Sequence, residues 1–204
     1  MEKLLIFPFN GNGIEALDCA EGQYDFIGFI DDTIEKQGKH KLGFQVFDRS
    51  VLRKYREAKV LAVPGSPLSY KIRAKTINNL LIPIDRYARV IHPNSTISKQ
   101  SSIGYNTLIM AGVVITSNAK IGNHVCILPN STIHHDSIVN DFTLIGSNVT
   151  VAGNTTIEEN CYIGSGSNII NNITIGGNTL VGLGSNVINQ ISSNQVVVGN
   201  PARK

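Results

Sequence analysis

The chain has 204 residues, 42% apolar and 16% charged, with a net charge of +3. That composition belongs to a globular protein of one ordinary or two small domains and excludes a disordered chain. No apolar run is long enough for a membrane span, the charge is too weak to argue for a nucleic-acid partner, and three cysteines without metal-binding spacing suit a reducing cytoplasm.

The N-terminus, MEKLLIFPFNGNG, lacks the apolar length and small-residue cleavage pattern of a secretory signal, so a cytoplasmic location is expected. Lys3–Phe9 predicts a strand, Asn10–Gly13 a tight loop and Ile14–Glu21 a short helix. Asp25–Ile30 predicts a second strand ending at Asp31 and Asp32. Val51–Ala58 predicts a helix, Lys59–Val63 a third strand and Ser69–Leu81 a third helix. Alternating β and α segments imply a small parallel sheet. Gly11-Asn12-Gly13-Ile14-Glu15-Ala16 matches G-x-G-x-x-A, and Asp31 follows Gly11 by twenty residues. In that pattern, backbone N–H groups at a helix N-terminus meet a phosphate. Roughly 90 residues are too few for both halves of a dinucleotide fold. A half-Rossmann α/β unit with a mononucleotide or nucleotide-sugar site is the better reading.

Charge then disappears. Residues 1–90 carry 25 charged side chains and residues 91–192 only six, together with 15 Asn and 11 Gly. Two architectures therefore meet near Tyr87–Ile91, giving domains over 1–88 and 89–204. From Ile91 to Val187, every sixth residue is Ile or Val, at seventeen consecutive positions. A second column four residues later (Ser95, Ser101, Thr107, Val113, Ala119 and onward) is small or β-branched. A period of six fits neither an amphipathic helix nor an alternating strand. It fits a solenoid of short strands, with one bulky residue per hexad pointing inward and Gly or Asn supplying left-handed backbone at the corners. Three hexads make an 18-residue coil, with successive coils ~4.8 Å apart.

This run resembles the hexapeptide-repeat acyltransferases, which implies a left-handed parallel β-helix, a homotrimer and acyl transfer from coenzyme A in grooves between prisms. With the N-terminal unit and the closing Gly199-Asn200-Pro201-Ala202, the whole chain resembles the NeuD/PglD-type sugar acyltransferases of bacteria. That group includes N-acetyltransferases of nucleotide-linked 4-amino-4,6-dideoxy sugars and O-acetyltransferases of sialic acid. Pro8 stands where its first loop usually has glycine, and Asn12 where it has histidine. The resemblance implies a substrate site over Asn10, Gly11, Asn12, Asp31, Asp32 and Gly65.

The resemblance matches His135-Asp136 to the family's catalytic His-acid pair, with His134 the second choice. One coil later His135 faces Gly153, which leaves room for a thioester. A general base is needed because an amine must lose a proton to be acylated, and Asp136 would orient the imidazole. Backbone N–H groups near Gly153 would steady the oxyanion. Positions matching the family's acetyl-coenzyme A contacts are Leu144, Ser165 and Leu183, with leucine replacing the usual histidine at 144. No metal is required. Cys161 falls in the inward small-residue column and reads as core. The expected activity is acetyl-CoA-dependent N-acetylation of a nucleotide-linked amino sugar in surface glycan synthesis. The alternatives are O-acetylation of a sialic-type sugar, or a non-catalytic binding solenoid.

Overall fold

The computed structural model describes residues 1–204. The first half builds β1 (Glu2–Phe7), α1 (Gly11–Ala20), β2 (Tyr24–Ile30), β3 (Gly38–Lys39), β4 (Gln45–Phe47), α2 (Val51–Lys54), β5 (Lys59–Ala62) and α3 (Arg73–Asn78). Leu4, Leu5 and Ile6 are fully buried, as a parallel strand covered on both faces requires. The sheet order is β3-β4-β2-β1-β5, parallel except for β3 at the edge. Because β2 and β5 flank β1, the crevice at their C-terminal ends is a topological switch point, where open α/β sheets bind ligands.

Local chemistry corrects three expected elements. Residues Gly11–Gly13 are the first turn of α1 rather than a loop, because Asn10 caps the helix: its Oδ1 accepts from Gly13 N at 2.8 Å. Within 51–58 only Val51–Lys54 is helical. The Arg86 guanidinium donates to the carbonyls of Leu52, Tyr55 and Ala58 and holds the rest as a turn. Within 69–81 a 3-10 turn (Tyr70–Ile72) leads into the short α3, and Leu81 ends the segment at φ +50°. Strands β3 and β4 are too short to leave a periodic signal.

From Val90 the chain coils through two-residue strands in three parallel sheets of seven, six and five strands. The docking face starts at Val90–Ile91, the second face at Thr96–Ile97 and the third at Ser102–Ile103. Strands pair 18 residues apart, as Ile115 with Ile133 and Ile127 with Ile145, until the last coil, where Val181 meets Val197 sixteen residues on. The period of six and the 18-residue coil are therefore as expected. Ile109, Ile127, Ile145 and Ile163 stack fully buried inside the prism, each burial contributing about 1.5–3 kcal/mol.

The small-residue column is buried too, and its hydroxyls must find acceptors. In the middle coils they donate to a carbonyl fifteen residues ahead: Ser131 to Gly146 at 2.6 Å, Ser137 to Ala152 and Thr155 to Ile170 at 2.9 Å, and Ser167 to Gly182 at 2.9 Å. The corners need left-handed backbone. Nine of the thirteen non-glycine residues with positive φ are Asn, so the asparagine content is corner geometry.

The two halves share one core. Val90, Leu108, Cys126 and Leu144, pointing outward from the docking face, pack with Leu4, Ile6, Ala16 and Cys19. A seam of hydrogen bonds runs beside it. Asn106 pairs with both backbone groups of Ala62, at 2.7 and 2.9 Å; Arg73 donates to the His124 carbonyl at 2.7 Å; and the Tyr70 hydroxyl donates to the Asn178 carbonyl at 3.2 Å. No helix is long and apolar enough to cross a membrane.

Candidate active site

His135 and Asp136 occupy the corner between the second and third faces, just after the inward Ile133. Asp136 takes φ +61°, and its carboxylate Oδ2 lies 2.8 Å from His135 Nδ1. Asn118, one coil earlier, donates its Nδ2–H to Asp136 Oδ1 at 3.1 Å. The bond from His135 first, then that from Asn118, hold the Asp136 carboxyl below its ordinary range. With Nδ1–H given to the carboxylate, the imidazole lone pair sits on Nε2. The ring is exposed and lies over Gly153 one coil later, where a Cβ would stand 2.6 Å from Nε2. Gly153 N–H has no acceptor within the chain. The arrangement is an imidazole oriented by a carboxylate, with free space and a free amide beside its second ring nitrogen. His134 is half-buried next to it.

Ser165 and Leu183 stack on a different corner, between the docking and second faces. Ser165 Oγ accepts from Ser147 N at 3.0 Å, and Leu183 is 72% exposed. The N–H groups of Ser165 and Leu183 are unused within the chain. Leu144 lies on the docking face, buried against Gly65, where a Cβ would come within 2.6 Å of its Cδ1. One chain thus groups His135, Asp136 and Gly153 together, and Ser165 with Leu183 elsewhere. The two sets lie on adjacent corners, at opposite edges of the second face.

In the N-terminal unit, a Cβ on Gly13 would meet the Pro8 carbonyl at 2.5 Å, so packing requires that glycine. Gly11 has nothing within 4 Å of the equivalent point, and the space over the first turn of α1 is open. Asp31 is 3% exposed: Oδ1 accepts from Thr33 N at 2.9 Å, and Oδ2 from Phe9 N and Lys36 Nζ, each at 3.1 Å. Burial opposes its charge, but the bonds from Thr33 and Lys36 outweigh that, and its carboxyl stays below the usual range. Asp32 forms a two-pronged ion pair with Arg49, at 2.6 and 2.7 Å. Both carboxylates are engaged inside the chain.

Two cavities meet at Gly65 and Ser66. One, of about 180 Å³, lies between Asn12 of α1 and the docking face, walled by Leu128, Leu144 and Tyr162. The other, of about 360 Å³, opens at the switch point and is lined by Asn10, Lys36, Ser69 and Arg73. The sequence reading misses Lys36, Arg73 and Tyr162. Tyr162 carries a signal, standing 18 residues after Leu144 in the outward column; Lys36 and Arg73 carry none. No group of three or more His, Cys, Asp or Glu is placed to hold a metal ion.

Solved structures match the chain over its full length. Perosamine N-acetyltransferase PerB from Caulobacter crescentus, in complex with CoA and GDP-perosamine, aligns with a TM-score of 0.87 at 21% identity, covering 100% of this chain and 96% of that one. WeeI from Acinetobacter baumannii AYE gives 0.84 at 24% identity, covering 100% and 99%. At those identities the likeness is one of fold, and the three-sheeted parallel coil fits a left-handed β-helix. The acetyltransferase domain of PglB from Neisseria gonorrhoeae FA1090 gives 0.86 at 26% identity, covering 100% and 99%, and that domain is also known in complex with acetyl coenzyme A. No curated protein matches the chain in sequence. Residues 87–198, more than half of the chain, match the family model described as the GMPPB C-terminal domain, and the chain belongs to that family.

Proposed function

We propose that the chain is an acyltransferase that moves the acetyl group of acetyl-CoA to the amine of a nucleotide-linked 4-amino-4,6-dideoxy sugar. The observation that carries this reading is the His135 imidazole, bonded at Nδ1 to Asp136 and facing Gly153 with Nε2. His135 Nε2 accepts the proton that the attacking amine must lose. Asp136 holds the ring in the tautomer that leaves Nε2 free and favours the imidazolium that forms. The unpaired N–H of Gly153 is available to the oxygen of the acetyl carbonyl as it gains charge. The coenzyme thiolate leaves and takes up a proton, which His135 returns. Cofactor and acceptor class are supported by the PglB domain in complex with acetyl coenzyme A and by PerB in complex with CoA and GDP-perosamine.

Asn10, Gly11, Asn12, Asp32 and Gly65 surround the nucleotide sugar in this reading. The nucleotide occupies the switch-point crevice and the sugar the cavity beyond Gly65 and Ser66. Gly153, Ser165 and Leu183 hold the coenzyme through backbone amides, and Leu144 walls the sugar side. Because His135 and the Ser165–Leu183 edge lie on separate corners, a complete site takes its base from one copy and its coenzyme edge from another. That arrangement, with the near absence of charge on the second and third faces, supports a homotrimer. Light scattering near three times the 22.1 kDa chain mass is expected; a single-chain mass at micromolar concentration sinks the assembly. The activity itself is tested by incubating the chain with acetyl-CoA and a panel of UDP-, dTDP- and GDP-linked amino sugars. Free thiol must appear only with an amino sugar present; no release with any member overturns the reading.

A further inference from the structure

Arg73 opens α3 and is 1% exposed, yet nothing in the proposed chemistry uses its charge. Its guanidinium donates from Nη1 to the Pro64 carbonyl and from Nη2 to the His124 carbonyl, the latter at 2.7 Å. Its Nε–H is buried without any acceptor, and no carboxylate pairs with it. Burial lowers its pKa to about 10, which leaves it charged at neutral pH. A buried cation without a counter-ion is destabilising, and an apolar side chain of similar volume serves a core at least as well. The seam between the two halves has other ties. Asn106 joins Ala62 to the prism with two hydrogen bonds, Tyr70 reaches Asn178, and an apolar core runs beside them. The task of Arg73 lies in what its two carbonyls belong to.

Pro64 begins the turn that leads out of β5, and His124 sits on the corner between the third and docking faces. One guanidinium therefore bridges the turn to the prism. Gly65, next in the turn, is enclosed between that side chain and Leu144: a Cβ there would stand 3.6 Å from Arg73 Cδ and 2.6 Å from Leu144 Cδ1. Its φ of +134° is a conformation open to glycine and strained for other residues. Gly65, Ser66 and Pro67 then wall the cavity of about 180 Å³ opposite Leu128, Leu144 and Tyr162. The width of that cavity is the gap between the turn and the docking face. The other hydrogen bonds of residues 64–68 run only among themselves and to Ser69 and Tyr70. Arg73 is thus the hydrogen-bonded anchor that fixes the turn to the prism.

We propose that Arg73 is a positioning residue for the acceptor: through the Pro64 carbonyl it holds the Gly65–Pro67 wall at the distance from the docking face that the sugar requires. The inference rests on the nucleotide-sugar reading, in which the sugar occupies this cavity. Arg73 then governs sugar binding and leaves the rest of the reaction alone, because the three prism corners divide the work. His124 receives Arg73 on one, while His135 and the Ser165–Leu183 edge occupy the other two.

Steady-state kinetics of the full chain, with a nucleotide-linked amino sugar that it acetylates, tests this. Arg73→Met should raise the Michaelis constant for that sugar about tenfold or more and leave turnover and the Michaelis constant for acetyl-CoA within about twofold. Arg73→Lys keeps the charge and can reach one carbonyl, so it should fall between. Inhibition by the matching nucleoside diphosphate, which lacks the sugar, should be the same in all three proteins. Tyr70→Phe loses the bond to Asn178 but keeps the Pro64 anchor and should behave as native. Thermal melting checks folding, and where Arg73→Met does not fold, Arg73→Lys carries the same comparison. An unchanged Michaelis constant for the sugar overturns the proposal while the nucleotide-sugar reading stands. Loss of inhibition by the diphosphate would make Arg73 a phosphate ligand, and an equal rise in Tyr70→Phe would make it one bond of a general seam; either result overturns the assignment. If the native chain acetylates no nucleotide-linked amino sugar, the nucleotide-sugar reading itself falls and takes the proposal with it.

Discussion

His135 Nδ1 and Asp136 Oδ2 meet at 2.8 Å although the two residues are adjacent in the chain. Neighbouring side chains in extended backbone point to opposite sides. Here the left-handed turn at Asp136, φ +61°, brings the carboxylate back to the imidazole. The repeat that builds the prism corner therefore also orients the imidazole. Removing the base should cost ~10²–10⁴-fold in turnover. His135→Ala is expected to lose that factor with acetyl-CoA binding retained, while His134→Ala loses far less. Steady-state kinetics of both variants decide it, and near-normal turnover in His135→Ala refutes the assignment.

The same pair gives a second test. Asp136 holds the imidazole through the 2.8 Å bond to Nδ1, so Asp136→Asn should lower turnover about tenfold or more with acetyl-CoA binding retained. Turnover close to that of the native chain would mean that the pair is not part of the rate-determining chemistry.

Gly153 provides a cleaner probe than either acid or base. Its φ is ordinary, so alanine fits the backbone, but the added methyl carbon would stand 2.6 Å from His135 Nε2. The exposed imidazole must swing away. Gly153→Ala should fall at least tenfold in turnover, roughly a 1.4 kcal/mol loss, with a melting temperature close to that of the native chain. Full activity would show that the space over Gly153 is not used.

A Cβ at Gly11 has nothing within 4 Å, so Gly11→Val projects into the open space over the first turn of α1. It should raise the Michaelis constant for the nucleotide sugar severalfold and leave that for acetyl-CoA unchanged. Equal weakening of both substrates would mean that the helix start, rather than a ligand contact, has been damaged.

His124 is buried at the seam with φ +58°, its ring stacked on Phe142 at 4.6 Å. Burial first, then the Arg73 guanidinium, lower its pKa to about 4 against a smaller pull from Asp141. An unfolded histidine takes up its proton near pH 6.5. Between pH 6.5 and 4 the unfolded chain therefore binds a proton that the native chain refuses, and stability falls as the pH falls, by at most about 3 kcal/mol. His124→Asn suits the left-handed backbone and removes the titration. Urea unfolding at pH 7 and pH 4.5 should show a smaller stability difference for the variant; an equal difference rules out this histidine as the source.

What the sequence determined by itself was the periodic part. The sixfold column of Ile and Val, the 18-residue coil and the asparagine corners follow from local geometry repeated without interruption, and local geometry is written in adjacent residues. The meeting of His135 with Gly153 belongs to this class, because a fixed coil length turns sequence distance into spatial distance. The extents of the short helices were not legible. Their ends depend on single long-range contacts, such as Arg86 on the carbonyls of Leu52, Tyr55 and Ala58. Only the tertiary structure decided which prism face the N-terminal unit covers, although Val90, Leu108, Cys126 and Leu144 already formed an apolar column. Nor could residue order reveal that Arg49 engages Asp32, that Asp31 is buried behind Lys36, or that Arg73 lines the same crevice without a carboxylate. An ion pair or a buried cation is defined by what the fold brings near it, and nothing in the local chain encodes that neighbour.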